Sequence, residues 1–183
     1  MIPQRKAVFL DRDGVINRSI LRDGRPYPPL TLAEVDILPG AKSAIQKLRN
    51  ADFLVICVTN QPDVARGTQN RKTVEEINAF LFKAVGLDDI MACYHDDIDN
   101  CSCRKPLPGM LFKAAEKFSI NLKESYMVGD RWRDINAGIA AGCRTFFIDY
   151  GYNEKQPKSA NLRVKSLLEA ANIILNGEKD EEN

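Results

Sequence analysis

Two aspartates one residue apart follow an apolar run near the start of the sequence. The stretch AVFLDRDGVIN, residues 7–17, places Asp11 and Asp13 after four apolar residues and ahead of a glycine. Asp is a poor strand former, and two like charges at such a spacing repel each other. Because residues two apart in an extended chain point to the same side, both carboxylates can face one bound group. The pair therefore indicates a chemical site, with a capping or turn role as the alternative.

Polar residues also stand where other apolar runs end. A hydroxyl and an amide follow the second run, an acid follows the segment YMV, a further acid lies four residues on, and the cationic segment RKP precedes a helical pattern. Carboxylate and carbonyl oxygens suit Mg²⁺, which commonly also binds water and a phosphate group, and a lysine suits a phosphate as a point charge. For Asp134 alone, capping of a helix N-terminus is the stronger alternative. The residues concerned are Thr59, Asn60, Asp130, Asp134, Arg104 and Lys105.

The elements that must position these residues alternate along the chain. Short apolar runs predict strands at 7–10, 53–59, 90–94, 125–128 and 144–148. Apolar residues at helical spacing predict helices at 40–50, 72–85, 108–119, 133–141 and 160–175. Such alternation indicates an α/β fold, a parallel sheet with helices on both faces. Ligands of these sheets bind beyond the carboxyl ends of the strands, where the polar residues lie.

A second group of reactive residues lies in the segment CYHDDIDNCSCRK. Cys93, His95, Cys101 and Cys103 are spaced as C-x-H-x₅-C-x-C, and His95 is the one histidine of the chain. Three thiolates and an imidazole form a closed tetrahedral ligand set, which predicts a structural Zn²⁺ site in a small loop. A disulfide or unrelated surface residues are the alternatives. The other two cysteines, Cys57 and Cys143, lie in or beside apolar runs and are expected to pack in the core.

Length and composition limit the classes of protein that fit. The 183 residues are 44% apolar and 28% charged, with a net charge of +1. This charge gives no reason to expect binding to nucleic acid or to an anionic membrane, and no segment resembles a secretory signal or a membrane span. We therefore expect a cytoplasmic monomer with one domain over residues 1–175 and a disordered acidic tail over 176–183.

Four segments in chain order resemble the motifs of the haloacid dehalogenase superfamily of phosphohydrolases. They are FLDRDGVIN, CVTNQ, RKP and VGDRWRD, and the resemblance spans about residues 7–150. It implies a Rossmann-like core and a mechanism in which Asp11 attacks phosphorus and Asp13 serves as acid and then base. It also implies Mg²⁺ held by Asp11, the Asp13 carbonyl and Asp130, with Asp134 in the next shell. Thr59, Asn60 and Lys105 would hold the phosphoryl group.

The cysteine segment narrows this resemblance. The chain is similar to small members of the superfamily that have no large cap domain, carry a zinc loop and act on D-glycero-D-manno-heptose 1,7-bisphosphate or on histidinol phosphate. The stretch TNQPDVARG resembles that of the heptose enzymes, and Asn17 matches the asparagine that ends their first motif. This resemblance implies substrate roles for Arg66 and Asn17, and removal of the 7-phosphate. The five-residue gap between His95 and Cys101 is nearer the histidinol type.

Two questions stay open at this level. Arg104, between a zinc ligand and Lys105, is expected to bind a second anionic group or the sugar hydroxyls of a small phosphorylated substrate. The alternative is a solvated surface arginine or an ion pair with Asp96 or Asp97. A non-catalytic binding domain of the same fold is the alternative for the protein as a whole.

Overall fold

The computed structural model describes the backbone of residues 4–181 and the side chains of residues 4–177. Eight strands and five helices lie in this part of the chain. The strands are β1 Ala7–Leu10, β2 Ile20–Arg22, β3 Arg25–Tyr27, β4 Leu54–Asn60, β5 Asp89–Cys93, β6 Tyr126–Gly129, β7 Arg144–Ile148 and β8 Leu162–Val164. The helices are α1 Ala41–Asn50, α2 Arg71–Val85, α3 Gly109–Phe118, α4 Trp132–Ala141 and α5 Leu167–Glu181.

Six strands form one parallel sheet in the order β5-β4-β1-β6-β7-β8. All five predicted strands and the first four predicted helices are present, each bounded within one residue of its prediction. Polar and apolar residues do not alternate along these strands because helices cover both faces of the sheet. On β1, Val8 and Leu10 pack with α1, α2 and α5, whereas Ala7 and Phe9 pack with α3 and α4. The predicted α/β class is confirmed.

The topology fixes where a ligand can bind. In the sheet, β1 has β4 on one side and β6 on the other, so the direction in which strands are added reverses at β1. A crevice opens beyond the carboxyl ends of the strands at such a point. Asp11 follows β1 and Asp130 follows β6, so both acids lie at the mouth of this crevice.

A small hairpin, β2 paired antiparallel with β3, stands beside the crevice and was not among the predicted elements. Its two-residue turn is Asp23-Gly24, with φ of 51° and 72°. Two positive φ angles are typical of a type I′ turn, the turn that Asp-Gly favours. The backbone N–H of Asn153 donates to the carbonyl of Gly24 at 2.9 Å and ties the hairpin tip to the core. No large cap domain is present among the described residues.

The C-terminal prediction needs correction. The last helix begins at Leu167, not at 160, because residues 162–164 form the edge strand β8. The helix continues to Glu181, into the acidic tail over 176–183, whose disorder stays a prediction. Glu, Lys and Asp contain no backbone restriction that would stop a helix, unlike proline. Residues 182 and 183 lie outside the described part. None of the helices described there is long and apolar enough to cross a membrane.

Candidate active site

A buried lysine joins two of the predicted acids. Lys105 Nζ lies 2.8 Å from Asp11 Oδ1 and 2.7 Å from Asp134 Oδ1, and it donates to the Val58 carbonyl at 2.6 Å. Both Lys105 and Asp134 are almost fully buried. Asp11 reaches this point from the end of β1, Asp134 from the first turn of α4, and Lys105 from the loop before α3. Residues far apart in sequence thus converge at one end of the sheet.

Asp134 also caps the N-terminus of α4, the alternative role that the sequence offered for it. Its Oδ2 accepts from the backbone N–H of Arg131 at 3.0 Å, as an acidic residue in the first turn does in a capping box. The helix cap and the ion pair with Lys105 use different oxygens, so Asp134 serves both. This fixes its carboxylate against rotation.

Asp130 is held beside this group with its oxygens unsatisfied. It is 1% exposed, and neither carboxylate oxygen has a hydrogen-bond partner among the described residues. Tyr152 lies near enough to lower its pKa, without the geometry of a hydrogen bond. Asp130 packs onto Gly14, where an added Cβ would lie 1.9 Å from Oδ2. A buried carboxylate without a partner is costly, and a bound cation would satisfy its oxygens.

Three carboxylates could hold that cation. Ligand oxygens of Asp11, Asp130 and Asp134 lie within 4.8 Å of one another. An all-oxygen, anionic donor set fits Mg²⁺, and these residues therefore fit the ion that the sequence predicts.

The charges in this group shift one another's proton affinity. Burial, and then the charge of Asp134, raise the pKa of Asp11 to about 6, although Lys105 lowers it. Burial and the charge of Asp11 raise the pKa of Asp130 well above its ordinary value. Burial would lower the pKa of Lys105, but Asp11 and Asp134 raise it above its ordinary value. Lys105 is therefore charged at neutral pH.

Three neighbours hold the carboxylate of Asp13. Arg12 donates to both of its oxygens at 3.0 to 3.2 Å, Asn17 Nδ2 donates to Oδ1 at 2.9 Å, and Gln61 Nε2 donates to Oδ2 at 2.9 Å. Arg12 is itself fully buried and fixed by Asn78. Asn17, predicted to contact substrate, is fully buried and orients Asp13 instead, because its amide points inward from the turn after β1.

The two polar residues at the end of β4 have different positions. Thr59 is fully buried, and its hydroxyl accepts from Gln61 Nε2 at 2.9 Å. Asn60 lines the open crevice and exchanges two hydrogen bonds with the backbone of Lys105, at 2.9 and 3.0 Å. Asn60 thereby positions the loop that delivers Lys105.

These residues open into a cleft of about 260 Å³. Its floor contains Asp11, Asp13, Asp134 and Lys105, and the β2–β3 hairpin forms one wall. Four arginines surround the mouth, which are Arg25, Arg66, Arg131 and Arg133. The cleft therefore combines an acidic floor with a cationic rim, an arrangement that suits a metal ion with a phosphorylated ligand.

Arg104 does not line this cleft, which corrects its expected contact with substrate. Its Nε donates to Asp97 Oδ1 at 2.7 Å, its Nη2 lies 3.7 Å from Asp96 Oδ1, and its side chain is 9% exposed. The alternative ion pair is thus the one observed, because the loop after His95 folds back over Arg104. Arg66 does line the cleft, and it forms a two-bond ion pair with Asp96.

The four predicted zinc ligands come together in the loop between β5 and α3. Sulfur atoms of Cys93, Cys101 and Cys103 lie 3.0 to 3.7 Å apart, and His95 Nδ1 lies 3.3 and 3.5 Å from two of them. A tetrahedral zinc site with Zn–S bonds of about 2.3 Å places sulfur atoms about 3.8 Å apart, close to this arrangement. All five cysteines of the chain are free thiols, so the disulfide alternative is not observed. Cys57 and Cys143 are buried in the core.

Sequence reasoning missed several residues of the site. Gln61 stands inside the quoted motif CVTNQ, and its amide could have been assigned to the neighbouring acids. Arg131 and Arg133 flank the predicted metal ligands, and they are ion-paired to Glu154 and Asp97. Nothing in their local pattern indicates those partners. The dipeptide Asp23-Gly24, which favours a two-residue hairpin turn, could have indicated the β2–β3 hairpin.

Comparison with known proteins places the chain among enzymes. Residues 28–142 match the family of haloacid dehalogenase-like hydrolases. A protein of Bordetella bronchiseptica named D-glycero-beta-D-manno-heptose-1,7-bisphosphate 7-phosphatase is 36% identical over 155 residues, which cover 82% of this chain and 84% of that protein. A Photorhabdus laumondii protein, named as the phosphatase of the alpha anomer, is 32% identical over 182 residues, 92% of this chain and 96% of that protein.

A solved structure agrees with these relatives. The D,D-heptose 1,7-bisphosphate phosphatase of B. bronchiseptica, complexed with magnesium and phosphate, superposes with a TM-score of 0.81 at 32% identity. The match covers 94% of this chain and 99% of that one.

Proposed function

The chain belongs to the haloacid dehalogenase-like hydrolases, and from this premise we propose that it is a Mg²⁺-dependent phosphatase that removes the 7-phosphate of D-glycero-D-manno-heptose 1,7-bisphosphate. The observation that carries the proposal is the convergence of Asp11, Asp13 and Lys105 on the floor of a cleft with a cationic rim. Relatives named for this activity, matched over 84% and 96% of their own length, support the substrate. Those relatives are named for both anomers, so the proposal does not choose one.

The proposed chemistry uses Asp11 and Asp13, the two aspartates near the start of the sequence. Asp11 attacks phosphorus, so that an Asp11–phosphorus bond forms while the bond from phosphorus to the sugar oxygen breaks. Asp13 gives its proton to the leaving oxygen. Water then attacks the aspartyl phosphate, Asp13 takes the water proton, and the bond between Asp11 and phosphorus breaks to release inorganic phosphate. Arg12, Asn17 and Gln61 keep Asp13 in place for both proton transfers.

The metal would be bound by the side chains of Asp11 and Asp130 and by the backbone carbonyl of Asp13, with Asp134 beside them. Bound Mg²⁺ neutralises charge on the phosphoryl oxygens and stabilises the ionised form of Asp11. The unsatisfied oxygens of Asp130 support this assignment.

Lys105 and the end of β4 would hold the phosphoryl group. Lys105 is charged, is fixed by two carboxylates, and points into the floor of the cleft. Asn60 fixes the Lys105 backbone, and the Thr59 hydroxyl lies behind Gln61, within the same group. Positioning and electrostatic stabilisation by such groups supply most of phosphoryl-transfer catalysis.

The four-residue cysteine and histidine cluster is proposed to bind a structural Zn²⁺. A set of three thiolates and one imidazole leaves no open position for chemistry, so its role is to fix the loop. That loop carries Asp96 and Asp97, which hold arginines at the cleft. A cytoplasmic location and a monomeric state stay part of the proposal, as the sequence predicts.

A phosphate-release screen tests the proposal. Purified enzyme is assayed with both anomers of heptose 1,7-bisphosphate, fructose 1,6-bisphosphate, histidinol phosphate and an aryl phosphate, each with and without Mg²⁺. We expect the highest kcat/KM with a heptose bisphosphate, and activity only with Mg²⁺. A higher value with histidinol phosphate would replace the substrate proposed, and no hydrolysis of any ester would favour the non-catalytic alternative.

A further inference from the structure

The cationic rim of the cleft contains one arginine that differs from the rest. Arg66, Arg131 and Arg133 are each ion-paired to a carboxylate of the protein, through Asp96, Glu154 and Asp97. Arg25 also lines the cleft, but among the described residues no carboxylate pairs with it. Its charge is therefore available to an anion that enters the cleft.

The position of Arg25 in the hairpin adds an independent observation. Arg25 of β3 lies directly opposite Arg22 of β2 in the antiparallel register. Like charges in directly opposite positions destabilise a strand pair. Arg22 stacks over the Tyr27 ring at 5.3 Å and, in the described part of the chain, likewise has no carboxylate partner. Arg25 is the member of the pair that lines the cleft, so an anion bound there would offset this repulsion.

The hairpin also holds Arg25 in place. The turn at Asp23-Gly24 closes it tightly, and Asn153 N–H binds the Gly24 carbonyl. Pro26 follows Arg25 directly, and its ring restricts the backbone of Arg25 to extended conformations. Arg25 is thus presented on a short, anchored hairpin that lines the same cleft as Lys105. Little ordering of the backbone is needed when a ligand arrives.

We propose that Arg25 binds the phosphate that is not transferred, and that it selects sugar bisphosphates over monophosphates. The inference rests on the proposed function, since it needs one phosphate at Asp11 and Lys105. The second phosphate of a bisphosphate substrate would then meet the guanidinium of Arg25, which offers a planar set of donors to phosphate oxygens. Arg104, which the sequence suggested for this task, is already committed to Asp97.

The size of the effect follows from the exposure of Arg25. A hydrogen bond between charged groups contributes more than a neutral one, but solvent screening weakens an exposed pair. Loss of the guanidinium should therefore lower kcat/KM for the bisphosphate about tenfold. An aryl phosphate has no second phosphate, so its kcat/KM should change less than about twofold.

The experiment compares Arg25→Ala, Arg25→Lys and Arg22→Ala with the wild-type enzyme. Each is assayed with heptose 1,7-bisphosphate, with the corresponding 7-monophosphate and with an aryl phosphate. We expect the preference for the bisphosphate to fall about tenfold in Arg25→Ala, to recover partly in Arg25→Lys and to persist in Arg22→Ala. Arg22 is the matched control because it has the same charge in the same hairpin but is not among the cleft residues.

The results separate this inference from the proposed function. If wild-type enzyme hydrolyses the aryl phosphate but no heptose bisphosphate, the proposed substrate is wrong, and the same comparison is made with fructose 1,6-bisphosphate and fructose 6-phosphate. Equal losses on bisphosphate and monophosphate in Arg25→Ala, or an equal loss in Arg22→Ala, would overturn the role of Arg25. So would a wild-type enzyme that prefers no bisphosphate to its monophosphate.

Discussion

Replacing Gly14 by alanine should weaken Mg²⁺ binding, an effect that can be distinguished from its effect on the stability of the fold. Gly14 has φ of +87°, and a Cβ built there lies 1.9 Å from Oδ2 and 2.4 Å from Cγ of Asp130. Both distances are far below van der Waals contact, so the Asp130 carboxylate must move. Since Asp130 is buried and packed, it cannot move without leaving the position it shares with Asp11 and Asp134.

Two separate effects contribute to the result. An alanine in the left-handed region costs about 1–2 kcal/mol, and about 1 kcal/mol lowers the melting temperature of a chain of this size by roughly 2–4 °C. The backbone effect alone should thus lower it by about 2–8 °C. Displacement of a metal-site group typically weakens metal affinity about 10- to 100-fold, so the Mg²⁺ concentration for half-maximal activity should rise by that factor.

Gly142→Ala provides the matched control. Gly142 has φ of +85°, and no described heavy atom lies within 4 Å of a Cβ built there. It carries the same backbone cost without the clash. Both variants are melted by calorimetry and titrated with Mg²⁺ in an aryl-phosphate assay. Both should melt at a lower temperature, and only Gly14→Ala should need more Mg²⁺. If the two have the same Mg²⁺ requirement, the assignment of Asp130 to the metal is wrong.

Three further predictions concern the aspartates and the cysteine cluster. Asp11→Asn should abolish turnover with the fold retained, and Asp13→Asn should slow it about 10²–10⁴-fold, as kinetics and circular dichroism would show; a wild-type rate in the former would exclude the covalent mechanism. Cys103→Ser should remove zinc, measured by elemental analysis, and lower the melting temperature, whereas Cys57→Ser should keep the zinc. In Mg²⁺-free buffer, the pKa of Asp11 is about 6 in the folded protein against an ordinary 3.8. Its contribution to the free energy of unfolding is therefore complete below about pH 4 and is lost as pH rises through 6. Asp11→Asn should therefore show a smaller fall in melting temperature between pH 5 and 7 than wild type, and an unchanged fall would contradict the shift.

The convergence of the acids on one site was predictable from sequence. Parallel strands bring their carboxyl ends to one edge of the sheet, so residues that follow β1 and β6 must become neighbours. Asp11 and Asp130 follow those strands directly, and no side-chain detail is needed to place them. The spacing of the cysteines likewise restricts their sulfur atoms to one short loop.

The partners of the arginines were not predictable in this way. Arg66, Arg104 and Arg133 come from three different segments and share Asp96 and Asp97. A long flexible side chain can reach many positions, so its partner depends on how the loops pack rather than on local pattern. Asp96 and Asp97 lie in the loop between β5 and α3, and the position of that loop places them beside Arg104, so an ion pair stands where a contact with substrate was expected.

The repulsion in the motif at residues 11–13 belongs to a larger imbalance of charge. Asp11, Asp130 and Asp134 are buried together with the single cation Lys105. Full ionisation would leave an excess of two negative charges in the interior, at a cost of several kcal/mol per unpaired ion. Without a metal the protein reduces this cost by retaining protons, as the raised pKa values of Asp11 and Asp130 show. A bound divalent cation would replace those protons, since its charge of two matches the excess. Asp11 is thus one of three buried acids whose excess negative charge a bound Mg²⁺ would balance.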